Sequence, residues 1–276
     1  MRPHVVHLTR ADAEFQRLEA LMGSRQHRHR ERLFVVEGVR ALNAALAADW
    51  PVAAFIHAEG AVLSEWAQRL LAAGAAQTRY VLTPTLMEQL SARQHTSELL
   101  ALLAVPPDDP TRIELSKNRL ALVFDRPTNK GNLGTVIRSV DAFAADGLVV
   151  LGHAVDVYDP ETARATVGSL FRVPVVRMAG PSDVGRWLGT WRGKLPDLCV
   201  VAATPDATIP LSAAPLSGPT VFVVGNEAEG LSLAMRRLAD AVVQIPMAGG
   251  SADSLNVAAA ASICLYEATR QRAPHG

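Results

Sequence analysis

The chain has 276 residues and a mass of 29.5 kDa, which is enough for two ordinary domains. Hydrophobic residues make up 49% of the sequence and charged residues 20%, so there is enough apolar material for folded cores and general disorder is excluded. Lysine and arginine number 27, as do aspartate and glutamate, so no net positive charge indicates a nucleic-acid partner.

Compartment and metal content follow from what the sequence lacks. No apolar run reaches the length of about 18–20 residues that a membrane span needs. The start, Met1–His7, has neither the apolar core nor the cleavage site of a secretory signal. The chain has only two cysteines, Cys199 and Cys264, which excludes a disulfide framework or a cysteine-rich metal site. We therefore expect a soluble, cytoplasmic protein without a metal.

Helical and strand patterns alternate along the first half, which predicts an α/β layer fold. Helices are predicted at Ala11–Met22, Val39–Ala48, Ala61–Ala73 and Pro84–Leu90, and strands at Leu33–Val36, Val52–His57, Tyr80–Leu82 and Leu99–Val105. A basic run, Ser24–Arg32, lies between the first helix and the first strand and contains a single acid. It is either a solvated helix end or loop, or a patch that contacts phosphate.

A proline-rich segment, Pro106–Pro110, separates the halves, because it can neither continue a helix nor donate the backbone hydrogen bonds of a sheet. We predict a first domain over residues 1–108, a linker over 109–116 and a second domain over 117–276.

Short apolar runs in the second half predict strands that are buried on both faces of a parallel sheet. They are Leu120–Phe124, Leu148–Leu151, Leu198–Val201 and Val221–Val224. In such sheets the ligand crevice lies beyond the carboxyl ends of the strands, so the loops there are the candidates for chemistry.

Three of these loops carry polar residues. In Asp125–Ser139, Asn132 is predicted to cap the helix that carries Arg138, and both side chains can face the crevice; the alternative is a plain cap and a surface cation. Val224–Ser232 contains two acids, which a helix N-terminus alone would also favour. Ile245–Val257 precedes a helix that opens with four alanines, which suit close backbone packing. Such packing is compatible with a ligand pocket, with a dimer face, or with neither.

Taken in this order, the three loops resemble the SPOUT superfamily, and within it the SpoU class of RNA ribose 2′-O-methyltransferases. The matching stretches are Asn132–Arg138, Gly225–Ser232, and Ile245–Met247 with Ser254–Val257. In addition, Arg30–Gly38 is similar to the opening of the substrate-binding domain that precedes many of these enzymes and resembles a small ribosomal RNA-binding protein.

The resemblance implies a second domain built on a parallel sheet and tied in a deep trefoil knot, which periodicity alone does not predict. It also implies a homodimer whose active site draws on both subunits, and bent S-adenosyl-L-methionine (AdoMet) held mostly by backbone atoms. By motif position, the cofactor contacts fall at Ala203, Thr204, Gly225, Asn226, Ile245, Met247 and Leu255. The resemblance favours an RNA contact by the basic run, through Arg25, Arg28, Arg30 and Arg32.

The matched catalytic positions are Arg138, Asn132, Glu227, Ser254 and Asn256. The family's usual assignment makes Arg138 a general base, but a guanidinium is almost always charged. Our hypothesis is that Arg138 holds the adjacent phosphate and stabilises the developing alkoxide. Asn132 and Ser254 are expected to position Arg138 or the ribose, and Glu227 to orient a guanidinium or polar backbone. No histidine lies in a matched motif, so we expect structural roles for all eight.

Two departures from the family pattern affect these assignments. The third motif is one residue longer than its commonest form, through Gly249–Asp253, so the cofactor contacts on either side are assigned only to within about one position. The first motif has a longer lead-in, Arg126–Lys130, in which Asn129 competes with Asn132 for the motif position; the spacing to Arg138 favours Asn132.

We therefore predict an AdoMet-dependent RNA ribose 2′-O-methyltransferase, with 23S ribosomal RNA as the substrate that the two-domain arrangement favours. A transfer RNA is the alternative substrate. A non-catalytic RNA-binding protein with the same fold is the main alternative from another class. A dinucleotide-dependent oxidoreductase is disfavoured, because the chain lacks G-x-G-x-x-G and a positioned acid after the second strand.

Overall fold

Alternating strands and helices build two compact units in the computed structural model, which describes residues 3–91, 96–115, 119–249 and 253–273. The first unit is Met1–Pro106 with Tyr158–Phe171, and the second is Pro107–Val157 with Arg172–Gly276. The strands are β1 (His4–Leu8), β2 (Leu33–Glu37), β3 (Val52–Ala58), β4 (Thr78–Leu82), β5 (Leu100–Ala104), β6 (Leu120–Asp125), β7 (Gly147–Leu151), β8 (Val175–Met178), β9 (Cys199–Ala203), β10 (Ile209–Pro210), β11 (Thr220–Val224) and β12 (Ala241–Gln244). The helices are α1 (Ala13–Gly23), α2 (Arg25–Glu31), α3 (Val39–Ala47), α4 (Glu65–Ala72), α5 (Pro84–Leu90), α6 (Lys130–Ala142), α7 (Pro160–Ala165), α8 (Pro181–Arg192), α9 (Leu233–Leu238) and α10 (Val257–Arg272).

The first unit is built on a mixed five-stranded sheet in the order β1-β4-β3-β5-β2. Strand β5 runs antiparallel to β2 and β3, and the other pairs are parallel. Tyr158–Phe171 belongs to this unit although it lies within the predicted second domain. Aromatic contacts attach it there: the ring centroids of Phe34 and Tyr158 are 4.9 Å apart, and those of Trp50 and Phe171 are 5.1 Å apart.

The second unit is built on a seven-stranded parallel sheet in the order β10-β12-β9-β11-β6-β7-β8. All residues of β6, β7 and β11 are buried, as expected for a sheet covered on both faces, so the predicted fold class is confirmed. From β6 the chain proceeds to β7 and β8 on one side, and its later strands add on the other side. Strand order therefore reverses beside β6, where α/β sheets bind ligands. The knot stays a prediction.

The segment predicted as a linker, 109–116, is largely folded into the second unit. Pro110–Arg112 forms a 3₁₀ turn, and the Ile113 and Leu115 side chains are fully buried in that unit's core. Asp108 accepts a hydrogen bond from Arg177 N (3.1 Å), and Arg112 donates one to Val175 O (3.1 Å). These contacts cover the outer edge of β8, so the segment is not a free tether.

Candidate active site

A cleft of about 600 Å³ lies at the carboxyl ends of β9 and β11, beside the first turns of α6 and α10. A smaller cavity of about 70 Å³ shares residues with it. Of the predicted cofactor residues, the cleft is lined by Ala203, Thr204, Gly225, Asn226 and Leu255. Ile245 and Met247 line the smaller cavity, together with Ala203, Thr204 and Leu255. The seven residues therefore come together in one place, and their role in cofactor binding stays a prediction.

Glu227 connects the loop after β11 to the loop after β6. Its carboxylate accepts hydrogen bonds from Thr128 N and Oγ1 (both 2.9 Å) and from Asn129 N (3.1 Å). It also accepts one from Asn132 Nδ2 (3.3 Å). Of the two partners that the sequence left open for Glu227, the described residues supply the polar backbone and no guanidinium.

The network continues from Asn132 to the third loop. Asn256 Nδ2 donates to Asn132 Oδ1 (3.0 Å), and Asn256 Oδ1 accepts from Ala258 N (2.9 Å) at the start of α10. Because an ionised Glu227 can only accept, Asn132 must present its NH₂ to Glu227 and its oxygen to Asn256. Each amide is thus fixed in one orientation, and the three motif loops are joined by one directed chain of hydrogen bonds.

The network also sets the ionisation of Glu227. Partial burial disfavours the charged form, but the hydrogen bonds from Thr128 and Asn129 outweigh it and hold the pKa of Glu227 below its ordinary value. The carboxylate is therefore charged, and acts as an acceptor, at neutral pH.

The prediction that Asn132 caps the helix carrying Arg138 is wrong. Asn129 is the N-cap of α6, and its side chain accepts from Asn132 N (2.9 Å). Asn132 lies in the first turn, which frees its side chain to connect Glu227 with Asn256. The two asparagines thus divide the roles of cap and site residue between them.

Arg138 and Ser254 are not part of this network. Arg138 is exposed on α6 and does not line the cleft, and it forms no hydrogen bond or ion pair with any residue that the structure describes. Ser254 lines both cavities, and it too has no hydrogen bond within the described ranges. The extra residue of the third motif falls partly on residues 250–252, which lie outside the described residues.

The loop 225–232 folds back tightly on itself. A Cβ atom at Gly225 would lie 2.3 Å from Leu231 N, so this position requires glycine. Asn226, which is 8% exposed, exchanges backbone hydrogen bonds with Gly230 (2.9 and 3.0 Å). Its side-chain oxygen accepts from Glu229 N (2.9 Å) and its Nδ2 donates to Arg126 O (2.7 Å). Gly225 and Asn226 therefore fix the backbone conformation of this wall of the cleft.

Asp125 and Thr128 are site residues that the sequence analysis missed. Asp125, at the end of β6, is 1% exposed and accepts a hydrogen bond from Ser232 N (2.8 Å). Thr128 donates twice to Glu227. An acid that ends an otherwise apolar strand was the available signal for Asp125. Thr128 gave no comparable signal.

The basic run forms the short helix α2, and its arginines differ in exposure. The prediction that Arg28 contacts RNA is wrong, because this side chain is 1% exposed. Its guanidinium donates to Leu21 O (2.9 Å) and Met22 O (2.8 Å) and lies 3.4 Å from a carboxylate oxygen of Asp159. Arg28 is therefore a structural residue of the first unit.

The other three residues of that group remain candidates for RNA contacts. Arg25 is half-buried, whereas Arg30 and Arg32 are exposed. Arg32 ends α2 in the left-handed conformation, with φ at 56°.

Two features are absent from the described residues. No group of three or more histidine, cysteine, aspartate or glutamate side chains is placed to hold a metal ion. In the same residues, no helix has both the length and the apolarity that a membrane span needs.

Known proteins of similar sequence and structure share this architecture. The 23S rRNA (uridine(2479)-2′-O)-methyltransferase of Streptomyces viridochromogenes is 40% identical over 270 residues, which cover 98% of this chain and 94% of the relative. The crystal structure of the SpoU methyltransferase AviRb from Streptomyces viridochromogenes in complex with AdoMet is also 40% identical. It has a TM-score of 0.89 and covers 95% of this chain and 98% of its own.

A more distant structure agrees with these two. The AdoMet-bound rRNA methyltransferase of Sinorhizobium meliloti is 29% identical, with a TM-score of 0.83, and covers 96% of this chain and 98% of its own. The SpoU L30e-like domain family matches residues 12–101. The SpoU rRNA methylase family matches residues 119–266, more than half of the chain. The chain therefore belongs to the SpoU rRNA methylase family.

Proposed function

We propose that this protein transfers a methyl group from AdoMet to a ribose 2′-hydroxyl of 23S ribosomal RNA. The observation that carries the proposal is the Glu227–Asn132–Asn256 network, which joins the three motif loops beside a ligand-sized cleft. The first unit, Met1–Pro106 with Tyr158–Phe171, serves as the RNA-binding domain, and the second unit, Pro107–Val157 with Arg172–Gly276, serves as the methyl-transfer domain. The relative that is 40% identical modifies a uridine of 23S rRNA, so a uridine is the first target to test.

The residues of the cleft suit AdoMet. About 600 Å³ is within the range of about 300–1,000 Å³ for small-molecule sites. Ile245, Met247 and Leu255 give the smaller cavity the apolar lining that an adenine ring prefers, and the carboxylate of Glu227 lies in the wider polar part. When bound, AdoMet supplies an electrophilic methyl group on a positively charged sulfur. The protein then has to orient the ribose and help remove its proton.

Arg138 is the residue that we assign to the RNA backbone at the site. An exposed guanidinium without a protein partner can hold a phosphate through two parallel hydrogen bonds and stabilise negative charge on the neighbouring 2′-oxygen. Lysine cannot make the same planar contact, so Arg138→Lys should lose most of the activity. Retention of most activity in this variant would show that the two parallel hydrogen bonds of the guanidinium are not needed.

Because Arg138 does not line the cleft of its own chain, we infer a homodimer in which each cleft receives Arg138 from the partner. Exposed apolar side chains on α10 support this arrangement: Tyr266 is 55% exposed and Ile263 36%. The test mixes two inactive variants, Arg138→Ala and Asn256→Ala, after joint refolding. A shared site predicts that the mixture regains activity, because one of the two clefts in a mixed dimer is intact. No recovery despite exchange of subunits would contradict it.

The function itself is tested with radiolabelled AdoMet and total RNA that lacks the modification, fractionated by size. We expect label in 23S rRNA with the wild-type protein and none with Arg138→Ala. Label in the transfer RNA fraction alone would establish the alternative substrate. Binding of RNA without binding of AdoMet, and with no label, would establish the non-catalytic alternative.

A further inference from the structure

Arg126 connects the end of β6 to the cleft wall. It lies directly after β6, and its N donates to Leu151 O (3.1 Å). Its aliphatic stem passes close to Gly152, where an added Cβ would lie 3.2 Å from Arg126 Cγ. The stem therefore lies beside the residue that follows β7.

The guanidinium of Arg126 reaches across to the loop 225–232, which forms one wall of the cleft. Its Nη1 donates to the carboxylate of Glu229, and its Nη2 donates to Gly230 O (3.3 Å). Its Nε donates to Asp125 (3.1 Å), the buried acid that also holds Ser232 N. One side chain thus contacts the loop at two points and is itself oriented by a third.

The backbone of Arg126 adds a further attachment. Its carbonyl accepts the 2.7 Å hydrogen bond from Asn226 Nδ2, and its φ of 54° is in the left-handed region. Residues other than glycine and asparagine are uncommon in the left-handed region, because their Cβ atom crowds the following carbonyl. The fold tolerates this conformation at a position where both the carbonyl and the guanidinium face the same loop.

We propose that Arg126 is a positioning residue for cofactor binding: with Glu229 and the Gly230 carbonyl it forms a latch that keeps the loop 225–232 in its binding conformation. The proposal rests on the function proposed above. Without the latch, the Glu229–Gly230 segment loses its contacts with the Arg126 guanidinium, whereas Glu227, the Asn226–Gly230 pair and Ser232 keep theirs. Cofactor binding then has to order the loop, and affinity falls because preorganisation is lost.

Arg126→Gly removes the guanidinium without adding backbone strain, since glycine adopts the left-handed conformation freely. We expect about a tenfold weaker dissociation constant for AdoMet and for its product S-adenosylhomocysteine, measured calorimetrically. We also expect a higher KM for AdoMet, an unchanged kcat at saturating AdoMet, an unchanged RNA affinity and a Tm within a few degrees of wild type. Glu229→Gln removes the charge from the other side and should weaken binding less. Arg186→Ala breaks a comparable exposed ion pair with Asp183, away from the cleft, and should leave binding unchanged.

Each outcome decides between defined alternatives. Wild-type affinity in Arg126→Gly would overturn the latch and leave the proposed function intact. A fall in Tm and kcat together, with no change in affinity, would also overturn it, because a purely structural role would then suffice. If Arg126→Gly does not fold, Arg126→Lys and Glu229→Gln decide: weaker cofactor binding in both supports the latch, and wild-type binding overturns it. Failure of the wild-type protein to bind either ligand would refute the proposed function instead.

Discussion

Asn132→Asp is the most specific perturbation of the Glu227–Asn132–Asn256 hydrogen-bond network. The substitution keeps the shape of the side chain and the acceptor for Asn256, but it replaces the NH₂ group 3.3 Å from a Glu227 oxygen with a second carboxylate oxygen. The donated hydrogen bond becomes a repulsion. Asn132→Ala is the matched control, because it removes both hydrogen bonds without adding charge.

The size of the effect follows from this distance. Two like charges 3.3 Å apart repel by about 1 kcal/mol in bulk water and about 5 kcal/mol at an effective dielectric constant of 20. The site is partly exposed, so we take about 2 kcal/mol. Asn132→Asp keeps the hydrogen bond from Asn256 that Asn132→Ala loses, which is worth about 1 kcal/mol, so the net difference is about 1 kcal/mol. At about 2–4 °C per kcal/mol, Asn132→Asp should melt roughly 2–4 °C below Asn132→Ala at pH 8.

The dependence on pH distinguishes charge from geometry. Repulsion raises the pKa of the introduced pair of carboxyls above that of the unfolded chain, so the penalty is present above the raised pKa and is relieved as the pH falls through it. In the wild type the pKa of Glu227 is lowered, so its contribution is present above the ordinary carboxyl pKa and is lost only as the pH falls through the lower folded value. A repulsion of about 2 kcal/mol raises a carboxyl pKa only into the weakly acidic range, so we expect the gap between the two variants, measured by thermal unfolding, to persist down to about pH 6 and to close between about pH 6 and pH 4. An equal Tm at pH 8, or a gap that does not change with pH, would refute the directed network.

Three other outcomes can be checked. Gly225→Ala places a methyl group 2.3 Å from Leu231 N and should abolish calorimetric binding of S-adenosylhomocysteine, whereas Gly189→Ala, in open space on α8, should raise the Tm by about 1–3 °C; normal binding by the first would contradict the tight loop. Arg28→Met removes the hydrogen bonds to the carbonyls of Leu21 and Met22 and the cation beside the Asp159 carboxylate, and it should destabilise the first unit by about 3 kcal/mol in urea unfolding; an unchanged midpoint would show that the residue is not structural. Burial raises the pKa of the Cys264 thiol to about 12, so Ellman's reagent at pH 8 should reach it only after unfolding, and immediate labelling would contradict its burial.

Local signals in the sequence located most of the strands and helices. Helix α5 begins and ends as predicted, at Pro84 and Leu90, because Thr83 supplies the cap and proline favours the first turn. Strand β8 was missed, since Arg177 interrupts its apolar run, and the edge strand β1 was missed because most of its side chains are exposed. Both lie at the edge of a sheet, where burial does not impose a simple pattern.

The site was predictable in its location but not in its detail. Parallel strands bring their carboxyl ends to one edge, which located the three loops, and the resemblance to the family grouped Glu227 with Asn132, to which it is hydrogen-bonded. Asn129 is the cap and Asn132 is not, because the Asn132 amide is hydrogen-bonded to Glu227, which lies 95 residues away in the sequence. Buried Arg28 also contacts Asp159, which lies 131 residues away in the sequence. Such long-range contacts leave no local signal, and only the folded chain resolves them.

Nucleoside analysis of the methylated RNA tests the proposed chemistry most directly. The reaction uses AdoMet labelled in its methyl group, 23S rRNA that lacks the modification, and either the wild-type protein or Arg138→Ala, followed by digestion to nucleosides and mass spectrometry. A ribose methyltransferase predicts a labelled 2′-O-methylnucleoside whose free base carries no label, and its absence in Arg138→Ala although that variant still binds AdoMet. Label on the base, or an equal yield of 2′-O-methylnucleoside from Arg138→Ala, would contradict the assigned reaction or the role of Arg138.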